Sequence, residues 1–431
     1  MIHPVAVAAI GRPVVRADSA MILLIFAGLV FLHSLVSARL ERTVVTAPIV
    51  FASTGMVAVF CLSELQDRQF DLHSWLHIAE IGLVLLLFTD ASRTDLRGLK
   101  ATYGLPVRLL SVGMLSTLLL GALGALAIFG HLSIWEAGIL AAILAPTDAG
   151  LGQIIVSSPR VPISIRQALN VEAGLNDGLS VPFLLFFIAL AVPADGDQAS
   201  LWGYVVEQLG YGVVVGVAIG VIGGWLLDAA TRRHWIAHSW ARLGVVSLPV
   251  LCLLVSEAVG ASMFIAAFVA GLAVQVRYQE AGRHSVEFTE EWGQLFNLAV
   301  FFLFGMLAVR ALPEFESSHW LYAVASLTVL RMVPVALALI GTRLSLTTVG
   351  FMGWFGPRGL ASIVLGLVYL EHEVALPGED TIRLTVLATV WLSIFAHGLS
   401  ALPAIRHYAA HVDRLPANAP ERRGLAHPAP E

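Results

Sequence analysis

Charge is what this sequence has least of: only 13% of its 431 residues are Asp, Glu, Lys or Arg, while 58% are hydrophobic. The mean hydropathy is +0.82. A water-facing domain carries about a quarter charged residues. The charges here are too few to coat the chain, so most of its surface must face lipid. The slight acidic excess, 30 Asp and Glu against 25 Lys and Arg, leaves no clustered basic face for nucleic acid. Cysteine is scarce as well. Cys61 and Cys252 lie in apolar stretches, form neither a disulfide framework nor a metal site, and read as small core residues. There is no His-Glu-x-x-His run for zinc and no Gly-x-Ser-x-Gly nucleophile elbow. Nothing in the chain calls for a cofactor.

Long apolar runs are what the chain does have. A bilayer core takes about 20 apolar residues per helix. On that rule about thirteen spans are expected, near 20–38, 44–63, 75–92, 105–129, 132–156, 164–192, 201–228, 243–259, 261–276, 292–310, 319–341, 346–370 and 383–405. The sequence thus predicts an all-α polytopic membrane protein with three parts: an N-terminal tail 1–19, a transmembrane domain 20–405 and a C-terminal tail 406–431. Residues before Met21 read as a short exposed tail or an over-extended start. A cleaved signal peptide fits less well, because the apolar run continues as a span. The polar, Pro-rich stretch after Pro403 is expected to be disordered.

The connecting loops orient the spans. Alternate loops carry Arg39 and Arg42; Arg93, Arg97 and Lys100; Arg160 and Arg166; Arg232 and Arg233; Arg277 and Arg283; Arg343; and finally the Arg-bearing tail. The other set holds Glu64 and Asp67, Asp195 and Asp197, Glu314 and Glu316, and Glu371, Glu373, Glu379 and Asp380. Positive charge stays cytoplasmic, which puts the N-terminus outside and the C-terminus inside a cell (inner) membrane. Arg12 and Arg16 alone sit awkwardly in this scheme.

Ionisable residues inside spans are functional candidates by default, because lipid makes them costly. In the fifth span, Pro146 should break the helix and free backbone groups beside Thr147 and Asp148. The plainer alternative for these two is a helix cap. Early in the sixth span stand Glu172 and Asn176-Asp177. Glu172 and Asp177 are five residues apart and face different ways, so they should have separate tasks. A carboxylate held partly out of water can take a proton or a cation near neutral pH. Arg331 in the eleventh span and Arg358 in the twelfth each need a carboxylate or freed carbonyls. Asp90, at the end of the third span, either lines the inner mouth of a cavity or sits in the interface. Glu257 and His397 read as hydrogen-bonded core residues.

The two interruptions, Ala145-Pro146-Thr147-Asp148-Ala149-Gly150 and Gly356-Pro357-Arg358-Gly359, fall in the fifth and twelfth spans. Spans one to six then match spans eight to thirteen in an inverted repeat with two crossed discontinuous helices, which is the sequence pointer to a transporter site.

At these residues the chain resembles the NhaP-type sodium/proton antiporters of the cation:proton antiporter superfamily. The likeness rests on Ala145-Pro146-Thr147-Asp148, Glu172 with Asn176-Asp177, Arg331, Gly356-Pro357-Arg358-Gly359 and Phe395-Ala396-His397-Gly398-Leu399. The resemblance implies a homodimer with a core domain and a dimerisation domain. It implies that Asp177 is the shared carrier of a monovalent cation (Na+, K+ or Li+) and H+, with Asp148 and Thr147 beside it. Asn176 in place of a second Asp goes with electroneutral exchange. Glu172 would form a buried ion bridge with Arg331, Arg358 would steady the crossing, and Asp90 would sit at the cytoplasmic funnel. Ala173 stands where relatives often carry Ser on the face of Asp177, which leaves K+ open beside Na+. The alternatives are another transporter or channel on a related fold, or an intramembrane aspartyl enzyme. Buried acids speak against an anionic substrate, and the arginines and the repeat speak against a protease.

Overall fold

The computed structural model describes residues 17–40, 43–62, 72–93, 104–191, 198–275, 278, 282–371, 376–416 and 418–422. Arg12, Arg16, Arg42, Arg97, Lys100, Arg277 and the acidic loops around 64–67, 193–197 and 372–375 lie outside the described residues. All regular structure among the described residues is helical. In chain order the helices are α1 (Ala17–Leu40), α2 (Ala47–Cys61), α3 (Leu72–Arg93), α4 (Leu105–Arg108), α5 (Met114–Ile128), α6 (Ile134–Ile143), α7 (Ala149–Ser157), α8 (Ile163–Ala191), α9 (Gln198–Arg232), α10 (His238–Val259), α11 (Met263–Val274), α12 (Gly282–Ala311), α13 (Ser317–Leu327), α14 (Val329–Ala338), α15 (Leu346–Trp354), α16 (Leu360–Glu371) and α17 (Glu379–Val412).

Among the described residues, eight helices are long and apolar enough to cross a membrane, and four shorter apolar helices accompany them. Thirteen remains the count that the sequence alone suggests. The short helices have a reason. The expected fifth span is α6 and α7 with a break between them, and the twelfth is α15 and α16 with another. The division between the eighth and ninth spans is made by Gly260, whose φ of 66° suits a residue without a side chain, and by Ser262, whose hydroxyl caps α11 at Ile265 N. The outer surface is greasy, as a lipid-facing one must be: Leu24 is 72% exposed, Val214 65% and Ile340 66%.

Packing falls into two groups. α12 lies along α2 and α3, and α11 lies along α3 and α9. Elsewhere α5 packs on α6, α6 on α8, α13 on α17 and α14 on α15. The α2–α12 crossing is a backbone contact. A side chain on Gly55 would strike the carbonyl of Phe302, and one on Gly305 would strike the carbonyl of Ala52. Small residues allow this approach where lipid gives helices no hydrophobic reason to associate.

The expected eleventh span stands as one stretch, Ser317–Ala338, with an irregular turn at Thr328 between α13 and α14 and no proline or glycine there. Three expectations fail here. Cys61 is exposed at the end of α2, and only Cys252 is a core residue. Glu257 is exposed rather than a core residue, because α10 ends just beyond it at Gly260. The C-terminal region is ordered well past Pro403. α17 continues to Val412, and Pro420–Arg422 forms a short 3₁₀ turn. There Glu421 is 1% exposed. Its carboxylate accepts from Ser345 N at 2.7 Å and from the Thr348 hydroxyl at 2.9 Å, tying the tail to the N-terminus of α15. Tyr408 meets the same hydroxyl at 3.1 Å. Composition hides this, because one acidic residue at a helix start is enough to anchor a polar segment.

Gly305→Val should therefore part α2 from α12. Overpacking of this kind costs about 1–3 kcal/mol or more, read as a lowered thermal midpoint in detergent. Glu421 gives a second expectation. Burial alone would raise its carboxyl, yet the hydrogen bonds from Ser345 and Thr348 hold it below its usual range. A depressed value means that the tie is present at neutral pH and is lost as pH falls through that value. The protection factor of the Ser345 amide, its rate relative to an unstructured peptide at the same pH, should thus be high at pH ~7, lower in acid, and low at neutral pH in Glu421→Gln. An equally protected variant would dismiss the tie.

Candidate functional site

The two helix breaks answer each other. α6 starts at a capping box, Ser133 with Glu136, and stops before Pro146, which has no amide to donate. Across the gap, Asp148 N donates to Pro357 O at 2.8 Å. The Asp148 carboxylate accepts from Leu151 N at 2.8 Å, capping α7, and from Leu360 N at 2.6 Å, where α16 begins. Arg358 Nη1 donates to the carbonyls of Ala145 at 2.8 Å and Pro146 at 3.0 Å. Backbone groups freed inside lipid must be met internally, and each break meets those of the other. A side chain on Gly359 would overlap the Asp148 carboxylate, so this contact requires glycine.

α17 holds the second break from behind. Arg358 N donates to Ser393 Oγ at 2.7 Å. His397 is 1% exposed, with Nε2 at 2.9 Å from Trp354 O. Its Nδ1 lies 3.0 Å from the Ser393 carbonyl and 3.1 Å from Ser393 Oγ, so the ring is held on both sides. His397 is thus the hydrogen-bonded core residue that its position suggests.

From α8, Asn176 reaches the first break with both ends of its amide. Its Oδ1 accepts from Thr147 N at 3.2 Å and its Nδ2 donates to Thr147 Oγ1 at 2.7 Å. Asp177, the next residue, is different. Its Oδ1 is buried and has no hydrogen-bond partner among the described residues. It lies within electrostatic reach of Asp148 and Asp90. Asp90, from α3, stands against Gly174, about one helical turn before Asp177. Glu172 points elsewhere and pairs with Arg331 at 2.6 Å, both side chains being almost fully buried (3% and 2% exposed). A side chain on Gly356 would run into the Arg331 guanidinium, so the second break also makes room for this ion pair. A small cleft opens beside the breaks, lined by Thr147, Asp148, Ala149, Gly152, Ala173, Phe355 and Pro357 among others. Ala173 presents a methyl group to it where a hydroxyl would be useful.

The structure thus gathers Thr147, Asp148, Asn176 and Arg358 at one crossing, sets Asp177 and Asp90 beside it, and gives Glu172 to Arg331. Asp148 is the helix cap that the plainer alternative described, and it also bridges to Leu360. Two polar residues escape a sequence reading that watches charges: Ser393, and Asn297 from α12, whose amide lies against Gly150. A search for uncharged polar side chains at mid-span would have found both.

The pattern of the family described as "Sodium/hydrogen exchanger, transmembrane" matches residues 15–407. The chain is similar to Na(+)/H(+) antiporter 2 of Zygosaccharomyces rouxii, 26% identical over 302 residues, 61% of this chain and 37% of that one. It is similar to the K(+)/H(+) antiporter NhaP2 of Shewanella sp. (strain ANA-3), 23% identical over 339 residues, 76% of this chain and 57% of that one. It spans little more than half the length of that second relative. In fold it matches the sodium proton antiporter MjNhaP1 from Methanocaldococcus jannaschii, with a TM-score of 0.71 and 20% identity, covering 88% of this chain and 99% of that one.

Removing one partner of a buried ion pair leaves an uncompensated charge, at a cost of about 3–5 kcal/mol. Arg331→Met and Glu172→Leu should each lower the thermal midpoint strongly, and the double variant should lose less than either single one. An additive double variant would mean that the two charges do not depend on each other.

Proposed function

The chain belongs to the sodium/hydrogen exchanger family, and on that premise we propose that it is a secondary active antiporter, exchanging a monovalent cation for protons in the cell (inner) membrane. The observation that carries this is Asp177. At a crossing where Asp148, Thr147 and Asn176 are occupied with backbone and with one another, Asp177 brings a buried carboxylate oxygen that no described residue donates to. Such a group holds a cation or a proton, and never both at once. Competition for it couples the two fluxes, and movement of the crossing then turns the loaded carboxylate to the other side.

The neighbouring residues take supporting parts. Asp148 keeps negative charge near the ion while holding the breaks together. Thr147 and Asn176 fix the first break against α8. Asp90 serves the cytoplasmic approach. Glu172, Arg331 and Arg358 are structural. With Asn176 in place of a second acid there is one carrier carboxylate, which makes the exchange electroneutral. The cation is Na+, K+ or Li+. Loop charge sets the N-terminus outside and the C-terminus in the cytoplasm, and exposed apolar helices such as α1 suit a homodimer. The division into residues 1–19, 20–405 and 406–431 is retained, with the last stretch of α17 reaching into the tail.

The test uses the purified chain in proteoliposomes, following dissipation of a pH gradient with Li+, Na+ and K+ in turn. The unaltered chain should respond to at least one cation with no net charge movement, and Asp177→Asn should lose that response while keeping its thermal midpoint. Normal exchange by Asp177→Asn would sink the assignment, and an anion-dependent flux would favour another transporter class.

A further inference from the structure

Asn297 has no part in the mechanism proposed so far. It stands halfway along α12 in the apolar run Leu295-Phe296-Asn297-Leu298-Ala299-Val300 and is only 8% exposed. An amide at that depth carries polar atoms that lipid cannot satisfy. Its oxygen is buried, and no described residue donates to it. Its nitrogen reaches the crossing: a Cβ on Gly150 would stand 3.0 Å from Asn297 Nδ2 and 3.0 Å from Asp148 Oδ1. The side chain that Gly150 lacks is the gap across which amide and carboxylate face each other. A half-turn about the terminal torsion exchanges the amide's oxygen and nitrogen, so either can be offered to that gap.

The oxygens nearby are already in use. Both Asp148 oxygens accept backbone amides, at 2.8 and 2.6 Å. Thr147 Oγ1 and Asn176 Oδ1 accept from each other's residues, at 2.7 and 3.2 Å. Ala173 offers the cleft only a methyl. A cation sheds its water only where protein oxygens, mostly neutral ones, replace it. Asp177 supplies charge, and a neutral oxygen must come from another element. Asn297 is the buried amide at the crossing whose oxygen is not engaged by a described residue, and it comes from α12, which packs along α2 and α3 rather than along α7 and α8.

We propose that Asn297 is a cation-ligating, specificity-determining residue of the exchange site, supplying from α12 the neutral oxygen that Ala173 does not. The inference rests on the exchange function proposed above. The full-length chain in proteoliposomes, titrated with Li+, Na+ and K+, tests it. Asn297→Ala should raise the half-saturating cation concentration by about five- to tenfold, as expected for one lost ligand to a charge. That rise should exceed the fall in maximal rate, and the ratios among the three cations should change. Half-saturation and ratios equal to those of the unaltered chain would overturn the proposal. If the alanine variant does not fold, Asn297→Ser keeps an oxygen on a shorter arm, and the readout becomes the cation-induced rise in thermal midpoint in detergent. That rise must shrink and change its order among the cations, and an unchanged rise overturns the proposal. An unaltered chain that moves no protons with any of the three cations overturns the exchange function itself, a result seen before any variant is compared.

Discussion

A chain that opens its backbone within a bilayer has to close it again with its own groups, since lipid offers none. The mutual closure of the two breaks is the constraint on which the rest depends. Asp148 N on Pro357 O, the Asp148 carboxylate on Leu360 N and Arg358 on the carbonyls of Ala145 and Pro146 tie two distant stretches into one polar knot. The knot also explains residues that otherwise look incidental: Gly359 leaves space for a carboxylate, and Ser393 and His397 hold the far side from α17.

The knot consumes polar capacity, which is why one carboxylate stands out. Arg331 is answered by Glu172 at 2.6 Å, and Arg358 is spent on carbonyls. Asp148 is a cap and a bridge. Asn176 and Thr147 satisfy each other. What is left over among the described residues is an oxygen of Asp177 on α8 and one of Asn297 on α12. The ion site proposed above would use such groups, held in place by neighbours that are themselves fixed to backbone or to one another.

Much of this was legible in the sequence, because charges in lipid advertise themselves. Pro146 and Pro357 mark the breaks, the cost of a lone arginine calls for some carboxylate or carbonyl partner, and the resemblance implies that Glu172 is the one for Arg331. Other features were not legible. The irregular turn at Thr328 has no local signal, since Pro334 lies further on and α14 runs through it. The double duty of Asp148 needs Leu360, 212 residues away, which no local pattern foretells. Asn297 carries no charge and so passed unnoticed among apolar neighbours. The tail was misjudged by composition, which counts prolines and cannot foresee a single carboxylate finding a helix start.

That last contact has a practical side. Glu421 sits on the N-terminus of α15, and α15 leads directly into the Phe355-Gly356-Pro357-Arg358 break. A fluorophore placed on the described turn at Pro420–Arg422 would therefore ride with the broken helix. Paired with a second dye at the N-terminal end of α12, it would form a molecular ruler for displacement between the two helix groups, without any label inside the membrane.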